Sequence, residues 1–262
     1  MFDEIYDNYI NKQSNLYLKK RLKTKKTGWF SASTAGSCFK KQYYEMVGTV
    51  ETDKPNNEAM RKMRLGTIVH KDFEESMKDA LKKESKNSTL KFFIEYPIEI
   101  PDLKVHGTLD CAIYDESRNI LTIGDLKTIG SYPYKLRFGR EKSKNISKVS
   151  TNYELQVSTY TIGLVKEIEN TISDEIKYVD MQLIFYNKDT SRIKIKTINS
   201  YMKSDAIAYW EDLNDFIDEA MVAVPDGKLI RDIKPNSCVN VPTQQWECNY
   251  CRFRSLCQKE SE

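Results

Sequence analysis

A chain of 262 residues with 40% hydrophobic side chains can bury a core for one sizeable domain with appendages or for two small ones, and 30% charged residues keep its surface solvated. A net charge of +3 excludes an indiscriminate polycation. No apolar run reaches the roughly 20 residues that a membrane helix needs, and the acidic start MFDEIYDNYI lacks the apolar centre of a signal peptide, so the expectation is a cytoplasmic protein without membrane contact.

In chain order, the first zone (residues 1–90) reads as helical. Ser33 or Thr34 can cap a helix running from Ala35 to Val47, stopped by Gly48. A longer helix follows in NEAMRKMRLGTIVHKDFEESMKDALKK. Its apolar stripe is Met63, Gly66, His70, Phe73, Met77 and Leu81, at spacings of three and four. The second zone (91–200) reads as strands LKFFIEYPIEI, LKVHGTLDCAIYD and NILTIGDLKTI, separated by Pro101-Asp102 and by Asp115–Asn119. A helix follows from about Ser150 to Ile168, then strands KYVDMQLIFYN and RIKIKTI. The third zone (201–262) opens with a helix from about Ser204 to Val224 and ends in an irregular tail with four of the six cysteines. The pattern predicts an α/β fold with a mixed central sheet flanked by helices.

Charge is uneven along the chain. Residues 1–41 carry nine basic against three acidic residues, and Lys135–Lys148 carries six against one. Such patches can track a phosphate backbone, though a solvated face accounts for either one alone.

Side chains alternate along a strand, so Asp125 and Lys127 face one way in NILTIGDLKT, with Leu126 on the other side. The preceding antiparallel strand can bring Asp110 beside Asp125. Two adjacent carboxylates repel unless a cation lies between them, and a hard divalent ion such as Mg²⁺ or Mn²⁺ suits oxygen ligands. Such an ion can polarise a phosphate oxygen and activate water, and Lys127 adds positive charge where a phosphorane gathers negative charge. Asp-x-Lys alone is common; its context of a Gly-Thr-Leu-Asp strand and a short turn is what selects it. His70, on an apolar stripe, fits a satisfied core histidine better than a ligand when read by itself. Gln156 and Tyr160, four apart, share a helical face, which ordinary packing also explains. Glu95, on the strand before Asp110, is a further candidate ligand.

The tail holds Cys248-x₂-Cys251-x₅-Cys257, three thiolates within reach of one metal centre. A fourth ligand is required for zinc or a cubane cluster, and Cys238 and Cys38 are both available. Cys111 reads as a small buried apolar residue.

Gly107-Thr-Leu-Asp110 and Gly124-Asp-Leu-Lys127-Thr resemble the second and third motifs of the PD-(D/E)XK nuclease superfamily. Gly66-Thr-Ile-Val-His70 and Gln156-Val-Ser-Thr-Tyr160 resemble the histidine helix and the Gln-x-x-x-Tyr motif of its RecB-like branch. The four pieces stand in the family's order from His70 to Tyr160. The resemblance implies a restriction-endonuclease-like core with His70, Asp110, Asp125 and the Leu126 carbonyl as ligands of Mg²⁺ or Mn²⁺. It gives catalytic roles to Asp110, Asp125, Lys127, Gln156 and Tyr160. The cysteine pattern resembles the iron–sulfur subgroup of that branch, which includes CRISPR-associated exonucleases and AddB-type nucleases. That resemblance selects Cys38 over Cys238, since the subgroup's upstream cysteine precedes basic and tyrosine residues, as in Cys38-Phe-Lys-Lys-Gln-Tyr-Tyr. It thus implies a [4Fe–4S] cluster on Cys38, Cys248, Cys251 and Cys257, with zinc as the other occupant, closing the N- and C-terminal regions into one subdomain.

The implied function is metal-dependent DNA exonuclease action on single strands or duplex ends, in recombination, replication, phage DNA metabolism or CRISPR adaptation. The host would be a bacterial, archaeal or phage-infected cell, and the chain could be phage-borne or oligomeric. Lys135, Arg137, Arg140 and Lys142, with Tyr132 and Tyr134, would guide the strand by charge and stacking. An endonuclease or nickase on the same site, or a non-catalytic end-binding adaptor, are the alternatives. The adaptor would show a degraded site, which this sequence does not.

Overall fold

Three consecutive strands, β2 (Leu90–Ile100), β3 (Val105–Asp115) and β4 (Ile120–Ile129), form an antiparallel meander in a computed structural model of the chain. The structure describes residues 2–24, 28–84, 88–139, 151–172, 175–200, 202–225, 227 and 246–259. The turns have local causes. Pro101–Leu103 is a single 3-10 turn closed by Lys104 in the left-handed region, at φ 53°. Asp115 Oδ1 accepts the N–H groups of Ser117 (3.0 Å) and Arg118 (3.3 Å), and Asn119 supplies the left-handed exit. After the helices α4 (Ser131–Phe138) and α5 (Thr151–Ile172), β5 (Tyr178–Asn187) lies parallel to β4, and β6 (Ile193–Ile198) returns antiparallel to β5. The expected mixed α/β fold is the observed one.

The first zone is less purely helical than its sequence predicts. Phe30–Ser31 form a short strand, β1, parallel to the start of β3 and completing a six-stranded sheet. A single 3-10 turn occupies Ala32–Thr34, and the next helix, α2 (Phe39–Met46), begins after Cys38 rather than after Ser33 or Thr34. Gly36 at φ 71° makes a continuous helix from Ala35 unfavourable. Thr34 instead turns its hydroxyl to the Ser31 carbonyl, at 2.6 Å.

Two helical layers hold the sheet. On one face lies α5, backed by α6 (Met202–Ala223), whose buried stripe is Ala206, Tyr209, Trp210, Leu213, Phe216, Ile217 and Ala220. Residues 155–161 of α5 are buried, polar ones included. Their hydroxyls are satisfied internally: Thr159 and Thr161 bond the carbonyls of Leu155 (2.7 Å) and Val157 (2.8 Å), and Trp210 Nε1 donates to Thr159 Oγ1 at 2.9 Å. Gly163 lets α5 approach β2, since a Cβ there would fall 2.3 Å from Ile98 Cγ2.

The other face carries α3 (Asn57–Lys83), capped by Asn56, whose Oδ1 accepts the Ala59 N–H at 2.9 Å. The stripe read from its sequence is only partly used: no α3 residue is fully buried, and Met63 and Leu81 are 62% and 43% exposed. Gly66 is the point of contact, with Thr128 Oγ1 2.9 Å from where its Cβ would be. Helix α1 (Phe2–Thr24) rests on α3 through the buried Ile10 and the Asp7–Arg61 pair.

The tail segment α7 (Trp246–Asn249) and α8 (Arg254–Lys259) docks on the early region. The Arg252 carbonyl accepts the N–H groups of Thr52 and Asp53, both at 2.9 Å. Asp53 accepts from the Ser255 N–H (2.8 Å) and hydroxyl (2.7 Å), and Phe253 packs on Tyr44. Residues 44–53 and the tail therefore share one surface of the fold.

The close approach at Gly163 makes a definite demand. Gly163→Ala gains helix propensity of about 1 kcal/mol, but the stiff, β-branched Ile98 cannot yield cheaply. A net loss of about 1–2 kcal/mol is expected from overpacking, read as a lower midpoint in urea denaturation.

Candidate active site

The site begins where two strands part. β3 and β4 pair from Asp115–Ile120 up to Cys111–Gly124, and no further. Beyond that point β4 runs on beside β5, while β3 runs back beside β2 and β1. Asp110 and Asp125 are the first residues past the fork. One hydrogen bond spans it: the Leu126 N–H donates to Asp110 Oδ2 at 2.7 Å. That bond satisfies a backbone donor that the lost β3 partner would otherwise have taken.

The strand alternation slips at the same place. Val105 and Leu109 of β3 are buried in the main core, but further along so are Ala112 and Tyr114, three residues after Leu109 instead of two or four. Asp110 lies within that slip. Across from it, between the pairs Ile94–Cys111 and Tyr96–Leu109, stands Glu95 at φ 47°, a left-handed residue within a strand. Such a conformation costs a non-glycine residue about 1–2 kcal/mol. The irregularity lies directly across from Asp110, and nothing in the sequence announces it.

Asp125 is 1% exposed and Lys127 follows it on the same face, as strand alternation requires. Lys127 Nζ stands 2.7 Å from Asp125 Oδ2, a buried ion pair. The same Nζ donates to Gln156 Oε1 at 2.8 Å, and Gln156 Nε2 donates to the Tyr160 hydroxyl at 3.2 Å. From the opposite face α3 presents His70, whose Nδ1 is 3.5 Å from Asp110 Oδ1. Asp110, Asp125, Lys127, Gln156, Tyr160 and His70 are thus brought together at one fork in the sheet.

Electrostatics follow from burial and crowding. Burial pushes the Asp125 carboxyl up to about 6, and the Asp110 carboxylate adds to the shift against Lys127 and His70. Burial pulls the Lys127 ammonium down, but Asp125 beside it outweighs that and leaves it above its ordinary value. The hydrogen bond to Asp110 raises His70. Desolvation raises Glu95, and the Asp110 and Glu74 carboxylates raise it further. Carboxylates therefore press on one another here.

The residues proposed to guide a strand are divided. Tyr132 is 75% exposed and Lys135 is exposed, whereas Tyr134 is buried against Phe138 and offers no face for stacking. Arg137 is half-buried, with its guanidinium 5.5 Å from the Tyr153 ring and 5.1 Å from the Phe185 ring. Arg140 and Lys142 lie outside the described residues, as do the side chains of residues 17–27. Tyr153 was not singled out from the sequence, yet Lys127 Nζ lies 5.1 Å from its ring centroid. Its position three residues before Gln156, on the same helical face, was the available signal.

Among the cysteines, Cys38 precedes α2, and its thiol is pushed up by burial and further by Cys257 and Cys251 close by. Cys251 and Cys257 are half-buried and Cys248 is exposed; Cys238 lies outside the described residues. Cys111 is buried, as expected, and burial pushes its thiol up to about 12. Among the described residues no three His, Cys, Asp or Glu side chains converge in metal-holding geometry. His70 is turned to Asp110, and Asp125 to Lys127.

No family model matches the chain, and no curated protein matches it. Among solved structures, the crystal structure of SSO0001 matches with TM-score 0.53 at 18% identity, covering 99% of each chain. A crystal structure from Eubacterium rectale, named provisionally as an exonuclease, matches with TM-score 0.42 at 14% identity, covering 81% of this chain and 85% of that one. The second likeness is too distant to bear on fold or function. The first shows a fold shared along the whole chain.

The strain at Glu95 can be read directly. Valine favours strands and glycine does not, yet at φ 47° the order should invert. Glu95→Gly is expected to be more stable than Glu95→Val by about 2 kcal/mol in urea denaturation. The opposite order would mean that the strand is regular at this position.

Proposed function

We propose that the chain is a divalent-metal-dependent nuclease, acting as an exonuclease on DNA single strands or duplex ends. The reading rests on one observation: at the β3–β4 fork the Asp110 and Asp125 carboxylates and the Lys127 ammonium converge, with Asp125 almost wholly buried. One lysine faces two carboxylates, and burial raises the Asp125 carboxyl, a cost that a hard cation would relieve.

The chemistry of the donor set suits such an ion. Asp110 and Asp125 would hold it, joined by the Leu126 carbonyl and by His70, which needs only to turn from Asp110. Glu95, opposite Asp110, is a further donor. When bound, a divalent cation supplies Lewis acidity toward a phosphate oxygen and a lowered pKa for the attacking water. The chain's own groups do the rest. Lys127 carries positive charge to the phosphoryl group as negative charge develops on it. Gln156 fixes the Lys127 ammonium through its Oε1, and Tyr160 fixes the Gln156 amide. The Tyr153 ring closes one side of the ammonium, limiting its wandering. Tyr132 and Lys135, on α4 just past β4, are placed to meet a strand by stacking and charge.

The cysteines fit a second group. Cys38, Cys251 and Cys257 lie near one another although some 200 residues separate them in sequence, and Cys248 begins the same segment. We assign them to a [4Fe–4S] cluster, with zinc as the other occupant. Ligation there would tie the chain's ends across the fold.

Two substitutions separate chemistry from metal binding. Lys127→Ala should lower kcat by about 10²–10³ on an end-labelled oligonucleotide while Mn²⁺ still raises the melting temperature. Asp125→Asn should lose both activity and the Mn²⁺-induced rise. Full activity in Lys127→Ala would refute the assignment.

Protons and metal compete for Asp125. Asp125 is raised to about 6 and His70 is raised as well, so Mn²⁺ affinity should fall as pH drops through this range, by up to about tenfold per pH unit for each of the two groups, as titration calorimetry would show. A flat profile between pH 5 and 7 would remove Asp125 from the ligand set.

Anaerobically purified protein should absorb near 400 nm, and Cys251→Ser should lose that band along with solubility. A colourless wild type binding one zinc would exchange the cluster for zinc.

A further inference from the structure

Asn152 stands in the first turn of α5, one turn before Gln156. Its side chain is clasped from two directions. Its Nδ2 donates to Glu247 Oε1 at 3.1 Å, and Glu247 immediately precedes Cys248. On its other side lies Gly36, two residues before Cys38. A Cβ at Gly36 would fall 2.7 Å from Asn152 Oδ1 and 3.1 Å from Asn152 Cα, and Gly36 itself sits at φ 71°. The loop is bare of side chain where it meets Asn152, which is how a backbone comes this close. Both segments that close on Asn152 are thus cysteine-bearing arms, one from each end of the chain.

The contact continues inward. Asn152 and Gln156 are four apart and share one helical face. Gln156 Oε1 accepts from Lys127 Nζ at 2.8 Å, and Lys127 Nζ stands 2.7 Å from Asp125. The first turn of a helix is where its N–H groups lack intrahelical acceptors and where it frays. An anchor at Asn152 therefore governs how firmly the next turn is held, and with it Gln156.

We propose that Asn152 is a positioning residue through which the two cysteine-bearing arms fix the first turns of α5, and so place Gln156 and Lys127. Its catalytic consequence rests on the nuclease reading above; the mechanical link does not. The cysteine segment then does more than close the chain: it sets the lysine at which phosphate charge is met.

The test uses the full chain, purified anaerobically, with Asn152→Asp alone and combined with Glu247→Gln. The first change keeps the size of the side chain but sets a carboxylate against a carboxylate. An acid in the first turn of a helix is favourable to the helix dipole, so any loosening comes from the Glu247 contact and not from the helix. The second change restores a donor facing an acceptor. Two readouts are taken: kcat and KM on a single-stranded oligonucleotide with Mn²⁺, and hydrogen exchange of the residue 151–160 amides by mass spectrometry. Asn152→Asp should lower kcat about tenfold, with KM within about twofold, and speed exchange in that peptide alone. The double variant should recover both. Unchanged kcat and exchange in Asn152→Asp, or a double variant no better than the single, would overturn the link. If the wild type cleaves nothing, the nuclease reading falls and exchange alone decides: acceleration with recovery keeps the link, and its absence discards it.

Discussion

The hydrogen bond from the Leu126 N–H to Asp110 Oδ2 is the interaction on which the site depends. A regular antiparallel pair would have placed a β3 backbone group opposite Leu126. Because β3 and β4 part after Cys111–Gly124, a side chain takes that role, and the side chain is a carboxylate. The bond fixes Asp110 against the strand that carries Asp125 and Lys127. It also sets two acidic groups near each other at a depth where water screens them poorly. The raised Asp125 carboxyl comes first from its burial, and the nearby Asp110 carboxylate adds to it.

The rest of the fold can be understood as what makes the fork tenable. On one face, α5 is held by Gly163 against Ile98 and by Thr159 against Trp210, which puts Gln156 over Lys127. On the other, Gly66 lets α3 approach Thr128, and one helical turn later His70 reaches Asp110. The site is therefore gripped between two helices on opposite faces of the sheet, joined through the gap where the strands diverge. Glu95 at φ 47° stores strain at the same gap, as functional sites often do.

A second theme is the meeting of the chain's ends. The Arg252 carbonyl on Thr52 and Asp53, Phe253 on Tyr44, and Cys38 near Cys251 and Cys257 build one surface from segments some 200 residues apart. The same surface reaches α5 at Asn152. The cysteine-bearing segments and the Asp–Lys fork are thus linked physically through α5.

Local sequence determined a good deal. The β-branched and aromatic runs of β2 to β5 and their turn residues specified the strands, because pleat and turn chemistry act over a few residues. The pair Asp125 and Lys127 was set on one face by alternation alone, and Gln156 with Tyr160 by helical period. Tertiary structure decided the remainder. Strand β1 at Phe30–Ser31 is too short to signal itself and exists because the edge of β3 is open there. The slip of alternation at Asp110 and the left-handed Glu95 depend on pairing between strands. Tyr134 looked like a free aromatic, yet it is buried because α4 packs on β5, with Phe138 of α4 set against both Tyr134 and Phe185. The carboxyl shift at Asp125 and the clasp on Asn152 likewise have no local cause. They arise from groups brought together across the fold, and charge and contact at that range are set by distance in space, not along the chain.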